Sequence, residues 1–186
     1  MQQPNSDPRS DLELIASVNQ GDAEAFAALY RRHRDWVVNL AFRFTSDHGL
    51  ALDALQETFL YFLKKFPGFA LNCQLRSFLY PVVRNVSIAA RRKAERCQSS
   101  DAEALETLAA PPPALTGDSA RDQLAAVVAA LTPSQREVLL LRFVDGLALH
   151  EIAEASGIPL GTVKSRLHYA LEVLRCDERT RKYFDR

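Results

Sequence analysis

Six side chains between 160 and 176 have the types and spacing that DNA recognition requires. They are two small hydroxyl groups, an imidazole, a phenol and two cations: Thr162, Lys164, Ser165, Arg166, His168 and Tyr169. In a helix with 3.6 residues per turn, the uncharged members would share one side and the two cations would flank it. Cations contact phosphates, and short polar groups contact base edges in the major groove. The pattern favours a DNA-binding helix, although an ordinary surface helix has a similar composition.

The residues around this segment predict a helix-turn-helix and thereby favour DNA binding over the surface-helix alternative. A short helix would contain Ile152 and Ala153, and Gly157 would end it in a left-handed conformation. Pro159 suits the first position of the next helix, where its missing N–H costs nothing. The inward stripe of that second helix would consist of Val163, Leu167, Ala170, Leu171 and Leu174.

Helical periodicity also predicts four helices in the first half of the chain. The first would start at Asp11, and Gly21 and Asp22 would separate it from a long second helix with His33 as a hydrogen-bonded residue. A third would run from about Leu50 to Phe66 and a fourth from about Ser77 to Lys93. The predicted inward residues of the first and third helices are Leu12, Ile15, Val18, Leu52, Leu55, Phe59, Phe62, Leu63 and Phe66.

Charge and proline content divide the chain. From Arg84 to Arg96 there are five cations and one acid, a net of +4, whereas 97–120 contains four acids and no cation. Three consecutive prolines, Pro111 to Pro113, indicate a linker. We predict an all-α protein of two small helical domains, with a disordered tail at 1–10, a first domain at 11–96, a linker at 97–119, a second domain at 120–178 and a tail at 179–186.

Several functional classes are disfavoured. The histidines lack metal-ligand spacing, and there is no glycine-rich phosphate loop or nucleophile elbow, so we expect no metal, no cofactor and no enzyme activity. Cys73, Cys97 and Cys176 are too scattered for a disulfide framework; they are incidental thiols or, alternatively, redox or metal sensors. No apolar run could span a bilayer and no targeting signal is recognisable, so we expect a cytoplasmic protein.

Three segments resemble one family. LDALQETFLYFLKKFPGF and LRSFLYPVVRNVSIAARRK precede LTPSQREVLLLRFVDGLALHEIAEASGIPLGTVKSRLHYAL. Together, from Asp11 to about Arg175, they resemble the extracytoplasmic-function (ECF) sigma factors of bacterial RNA polymerase. The resemblance implies a sigma-2 and a sigma-4 domain that bind core RNA polymerase through its β′ and β subunits, direct it to a promoter and help to open the duplex. It also implies control by an anti-sigma factor.

The resemblance assigns roles to residues in three places. On the third helix, it implies that Asp53, Gln56 and Glu57, with Leu60 beside them, dock on the coiled coil of the β′ subunit. The loop from Phe69 to Arg76 would hold an unpaired base of the minus-10 element, with contacts from Arg84, Asn85, Arg91 and Arg92. In the recognition helix, the minus-35 element would be contacted through its bases or grooves by Lys164, Ser165, His168 and Tyr169, and through its backbone by Thr162 and Arg166.

The chain departs from the family pattern at four positions: Phe78 replaces Trp, Ala89 replaces an acid, Tyr169 replaces Arg, and Pro81 replaces a residue with an N–H. Pro81 is tolerable if its helix starts near Ser77; otherwise it would kink the helix and shift Arg84 and Asn85. Two other functions stay open. The chain could be a helix-turn-helix regulator that binds an operator without polymerase, or a helical interaction protein without a DNA role, with which the zero net charge is compatible.

Overall fold

The computed structural model describes residues 7–100 and 120–183. All regular structure in these ranges is helical, which confirms the predicted all-α class. The described residues form two compact units, one on each side of 101–119. The first contains α1 (Asp11–Asn19), α2 (Ala23–Thr45), α3 (His48–Leu63) and α4 (Leu75–Ser100). The second contains α5 (Ala120–Ala130), α6 (Pro133–Phe143), α7 (Leu149–Ser156), α8 (Leu160–Cys176) and α9 (Glu178–Arg181).

Side-chain caps define where the early helices begin. The Ser10 hydroxyl accepts a hydrogen bond from the Glu13 N–H, and the Glu13 carboxylate accepts one from the Ser10 N–H at 2.7 Å. Asp22 caps α2, as predicted, and Asp47 caps α3 by accepting from the Leu50 N–H at 2.8 Å. α3 therefore starts at His48, two residues before the predicted position.

The core of the first unit lies between α2, α3 and α4, and it corrects the predicted inward faces. Leu12, Leu52 and Leu63 were predicted to face inward but are 59%, 50% and 46% exposed. On α3, Ala51 and Ala54 are fully buried instead. α3 has apolar side chains around most of its circumference, so periodicity alone did not identify its packed face, and the alanines allow a closer approach of the neighbouring helices.

α4 is longer than predicted at both ends, starting at Leu75 instead of Ser77 and ending at Ser100 instead of Lys93. Its last four residues belong to the predicted linker, and the rest of that linker lies outside the described residues. Pro81 is the seventh residue of α4, so the Ser77 carbonyl lacks its usual helical N–H partner. The helix nevertheless continues past Pro81 to Ser100.

The predicted N-terminal tail is partly ordered. The Arg9 guanidinium contacts the carboxylates of Asp7 at 2.7 Å and Asp22 at 3.2 Å. Arg32 on α2 donates hydrogen bonds to the carbonyls of Asp7 and Arg9 at 2.9 and 2.8 Å. These contacts hold 7–10 against α1 and α2, so only 1–6 of the predicted tail remain, and they lie outside the described residues.

The second unit is built around a core that includes Val127, Leu131, Leu139, Ala170 and Leu174. The order Thr132, Pro133, Gln135 in the sequence predicts a capping box, with Pro133 as the first helical residue. α6 begins with that capping box, in which Thr132 and Gln135 exchange hydrogen bonds. The predicted C-terminal tail from 179 is wrong for Thr180, which is fully buried and donates a hydrogen bond to the Leu174 carbonyl. α9 packs on α5 and α8, a long-range contact that local sequence does not indicate.

Candidate functional site

The helix-turn-helix consists of α7, a three-residue turn and α8. Gly157 ends α7 in the left-handed conformation, with φ of 66°. The Ile158 N–H donates to the Ala153 carbonyl at 3.0 Å, which closes the turn. Pro159 lies immediately before α8, one position earlier than predicted. The predicted turn is therefore present, with its glycine in the expected conformation.

Two partly buried hydrogen bonds position α7. Glu151 is only 6% exposed, and its carboxylate accepts a hydrogen bond from the Ala148 N–H at 2.8 Å at the start of the helix. A negative charge here also interacts favourably with the helix dipole. Arg142, from the end of α6, donates to the Leu147 carbonyl at 3.1 Å. Together these bonds hold the segment that enters the helix-turn-helix.

α8 separates an inward and an outward face as predicted. Val163, Ala170 and Leu174 are buried, and Leu167 and Leu171 pack beside the core. On the outward face, the six predicted DNA-binding residues share one helix: Lys164, Ser165, His168 and Tyr169 are exposed, and Thr162 and Arg166 are half-buried. The Ser165 hydroxyl donates to the Gly161 carbonyl at 2.9 Å, which leaves its oxygen able to accept from a ligand. The face thus combines cations with uncharged polar groups.

Tyr169 gives this face an aromatic, uncharged side chain at a position where the resemblance implies a cation. Its side chain is 60% exposed, and its ring centroid lies 5.7 Å from that of His168. The two rings are thus neighbours, tilted by 57° to each other. An aromatic side chain can contact a thymine methyl group, whereas an arginine would favour guanine or phosphate.

The predicted polymerase-docking residues form a second exposed face, on α3. Asp53, Gln56 and Glu57 are all exposed, and Leu60 is 55% exposed. Leu52 and Leu63, which were predicted to face inward, lie on the same side of α3 as Gln56. Gln56 is four residues after Leu52, and Leu63 is eleven residues after it. The face is therefore more apolar than predicted, with two acids along one edge.

The predicted basic residues of α4 divide between two sides of the helix. Arg91 lies about two turns after Arg84 on the same side of the helix, and its Nε donates a hydrogen bond to the Glu95 carboxylate at 2.7 Å. Arg84 is half-buried, whereas Asn85 and Arg92 are exposed and lie about 100° further round the helix. Arg91 and Glu95 line a cleft of about 410 Å³ together with Asp53 of α3. One predicted DNA contact and one predicted docking residue thus line the same cleft.

The loop between α3 and α4 differs from expectation in its aromatic residue. The Phe69 ring is half-buried and packs against the rings of Phe62, Phe66 and Phe78, with centroid distances of 5.5, 5.5 and 4.8 Å. That ring therefore belongs to the aromatic cluster of the domain. Among the polar groups of the loop, Asn72 is exposed, which leaves an amide at the surface.

A polar cluster fastens α1 to α2. The Asp11 carboxylate accepts from Arg32 at 2.6 Å and contacts the His33 Nε2 at 2.9 Å, while His33 is 4% exposed. Partial burial raises the pKa of Asp11, but hydrogen bonds from His33 and Arg32 outweigh it, and the pKa is lowered. His33 is thus a hydrogen-bonded residue, as predicted. Within 7–100 and 120–183, no group of His, Cys, Asp and Glu side chains could hold a metal ion.

Comparison with known families matches both units of the chain. The family model described as Sigma-70 region 2 matches residues 29–97, and the one described as Sigma-70, region 4 matches residues 127–175. A curated relative, the ECF RNA polymerase sigma factor SigW of Bacillus subtilis, is 29% identical over 87% of this chain and 92% of its own. The chain is an ECF sigma factor.

Other sigma factors support the same membership. The ECF RNA polymerase sigma-E factor of Escherichia coli is 27% identical over 91% of this chain and 94% of its own. Among solved structures, the sigma factor RpoE of Bartonella quintana, determined in complex with the anti-sigma factor NepR, has a TM-score of 0.57 and 25% identity, covering 82% of this chain and 93% of its own. CnrH, solved with the cytosolic domain of CnrY, shares the fold with a TM-score of 0.61 at 21% identity over 88% and 93% of the two chains.

This sigma factor contains one contact to its loop that sequence reasoning missed. The Asn19 side chain, at the end of α1, accepts hydrogen bonds from the N–H groups of Gly68 and Phe69 at 2.7 and 3.1 Å, and donates to the Phe69 carbonyl at 2.9 Å. No local signal could have identified it, since its partners lie 49 and 50 positions away. None of the described helices is long and apolar enough to cross a membrane.

Proposed function

We propose that this sigma factor binds core RNA polymerase through α3, holds the opened minus-10 element with α4 and its preceding loop, and reads the minus-35 element with α8. The observation that supports this most strongly is the presence, on one chain, of an exposed helix-turn-helix face and an exposed, partly apolar α3 face. An operator-binding regulator would need only the first of these faces.

The proposed minus-35 surface consists of the outward side chains of α8. Thr162 and Arg166 are suited to phosphate contacts, Lys164 to contacts in the groove and with its phosphates, and Ser165 and His168 to base edges. Tyr169 would contribute apolar contact with a thymine methyl and a hydroxyl, but no charge. This sigma factor would therefore bind the minus-35 element with one charged contact fewer than a relative with arginine at the same position.

The proposed polymerase surface is the outward side of α3. Asp53 and Glu57 contribute two negative charges. Gln56 and Leu60 lie next to these acids on the same side of the helix. A complementary partner would present cations next to apolar side chains, and an apolar centre with charged residues around it is typical of protein interfaces. We assign this partner surface to the β′ subunit of core polymerase, with further contacts of the chain to β.

The proposed minus-10 surface combines the loop 69–74 with α4, because the last two residues of the predicted loop, Leu75 and Arg76, are helical. Asn85 and Arg92 are exposed on one side of α4, where they can contact an unpaired strand. Arg84 and Arg91 lie on the adjoining side and are suited to backbone phosphates. Since the Phe69 ring is packed inward, we assign the base-holding role to the polar groups of the loop instead.

We propose an anti-sigma factor as a further partner. RpoE of Bartonella quintana was crystallised with one, and this chain has exposed apolar side chains that an inhibitor could cover. On α3 these include Leu52, Leu60 and Leu63, and in the second unit Phe143 and Val144 are 62% and 65% exposed. Affinity purification from cells should recover a stoichiometric inhibitor; repeated recovery of the chain without one would contradict this part.

The remaining proposals concern the domain boundaries and the cellular compartment. We propose that 11–96, together with 7–10 and the end of α4, is the polymerase and minus-10 domain, that 101–119 is a linker, and that 120–178 is the minus-35 domain extended by α9. The chain would act in the cytoplasm, where polymerase and promoters are found. Its proposed role is to bind and orient macromolecules, and it requires no catalysis by the chain itself.

The proposed function is tested by in vitro transcription with core polymerase that lacks its own sigma factor, on the promoter upstream of this gene. A discrete start site that depends on the chain is the expected result. If no transcript forms while the chain binds duplex DNA, the operator-binding function is favoured instead. If neither activity is found, the chain is an interaction protein without a DNA role.

A further inference from the structure

Asn19 joins α1 to the loop that precedes α4. Its single amide group makes three hydrogen bonds to that loop: two accepted from the N–H groups of Gly68 and Phe69, and one donated to the Phe69 carbonyl. All three distances are between 2.7 and 3.1 Å, within the range of well-formed hydrogen bonds. The amide therefore contacts both polar backbone groups of Phe69.

Contacts other than this amide attach α1 to the rest of the first unit. Leu14 and Ile15 are buried and attach α1 to the core, and Asp11 fastens its other end to Arg32 and His33. The hydrogen bonds of the Asn19 side chain described above go to the loop alone. Its removal should consequently affect the loop more than the helix.

Phe69 is held from two directions. Its ring packs in the aromatic cluster against Phe78 at 4.8 Å, and its backbone is bound by Asn19. Gly68, immediately before it, has φ of 91°, a conformation that glycine adopts without strain. From this fixed point only five residues, Ala70 to Gln74, lead to the start of α4. The short span restricts where the exposed amide of Asn72 can lie.

Restricting the loop matters for binding an unpaired base. A flexible loop must lose conformational entropy when it closes on a ligand, and a loop held in its bound shape beforehand avoids that loss. The Asn19 hydrogen bonds thus supply pre-organisation to a segment that has no secondary structure of its own.

We infer that Asn19 is a positioning residue for minus-10 recognition, which holds the loop 68–74 in the shape that binds the unpaired base. The inference rests on the proposed function, in which this loop contacts the opened minus-10 element. Asn19 touches no DNA in this scheme and acts only through the backbone of Gly68 and Phe69.

The test compares Asn19→Ala with the matched variant Asn39→Ala, which removes an exposed amide from α2 of the same domain. Holoenzyme is assembled from core polymerase and each full-length variant. The probes are fluorescent single-stranded oligonucleotides that carry the minus-10 element mapped from the transcription start site, or the same element with its bases scrambled. Affinity for core polymerase is measured in parallel.

We expect Asn19→Ala to bind the mapped element about tenfold more weakly, with unchanged affinity for the scrambled strand and for core polymerase. Asn39→Ala should match the unsubstituted chain in all three measurements. A merely structural role would lower core affinity or both DNA affinities together, and that result would overturn the inference. Unchanged discrimination by Asn19→Ala would also overturn it.

Failure of the proposed function would look different. In that case the unsubstituted holoenzyme itself would bind the mapped and scrambled strands equally, and the minus-10 role of the loop would fall together with the role of Asn19. If the unsubstituted holoenzyme discriminates and Asn19→Ala does so equally well, only the inference fails.

Discussion

Replacing Asp11 with alanine should destabilise the first unit by several times the usual cost of a surface ion pair. The substitution removes the carboxylate that accepts from Arg32 at 2.6 Å and contacts His33 at 2.9 Å. A hydrogen bond to a charged group contributes about 1.5–3 kcal/mol, and a buried donor left without a partner costs about 1–3 kcal/mol. Since the Arg32 side chain is 28% exposed and keeps its two carbonyl partners, we expect a loss of about 2–4 kcal/mol.

The assay is urea unfolding followed through Trp36. It is the only tryptophan of the chain, lies on α2 and is 8% exposed, so its fluorescence reports the first unit. The matched control is Asp35→Ala, which removes an 81% exposed carboxylate paired with Arg34 at 3.2 Å. That surface pair should contribute at most about 1 kcal/mol. Equal destabilisation by the two substitutions would refute the reasoning.

The effect should also depend on pH, with a defined sign. Because the folded-state pKa of Asp11 is lowered, its carboxylate stabilises the fold above the unfolded pKa of about 3.9, and this contribution is lost as pH falls through the folded pKa. The difference in unfolding free energy between the unsubstituted chain and Asp11→Asn should therefore shrink below about pH 4. A difference that persists unchanged at acidic pH would show that the carboxylate charge contributes nothing.

Two further predictions concern the proposed surfaces, and a third concerns the turn of the helix-turn-helix. Glu57→Lys reverses an exposed charge on α3 and should abolish binding to core polymerase in a pull-down without unfolding the chain, whereas Glu24→Lys on α2 should bind normally. Tyr169→Arg should strengthen promoter binding, and Lys164→Ala should weaken it. The slope of log K against log salt concentration should become steeper by about 0.9 for the first variant and shallower by about 0.9 for the second. Unchanged slopes would show that neither residue belongs to the DNA surface. Gly157→Ala adds a methyl group at a φ of 66°, and no other atom lies within 4 Å of that methyl position. The free energy of unfolding, measured by thermal unfolding, should therefore fall by about 1 kcal/mol through backbone strain alone.

Local patterns predicted the features that depend on neighbouring residues. The cap of Asp22, the capping box from Thr132 to Gln135 and the left-handed Gly157 all involve hydrogen bonds between residues at most five positions apart. The apolar stripe of α8 was predicted for the same reason, since its apolar residues recur every three or four positions and polar residues lie between them. Such features are specified wherever the chain is helical, whatever it packs against.

The wrong predictions of burial and order concern which partner a residue meets. α3 presents apolar side chains in almost every direction, and only packing between α2 and α4 decides that Ala51 and Ala54 are inside while Leu52 and Leu63 are outside. Composition likewise suggested that 7–10 and Thr180 belong to tails. Arg9, Arg32 and the Leu174 carbonyl order these segments through contacts that no local rule includes.

By itself, then, the sequence determined the helical class, the helix-turn-helix and the family, because periodicity, caps and motifs act over a few residues. The tertiary structure alone decided the exposed face of α3, the inward position of the Phe69 ring and the attachment of its backbone to Asn19. Each of these depends on side chains that are distant along the chain and meet only after the helices have packed, when buried area and hydrogen-bond satisfaction select one arrangement.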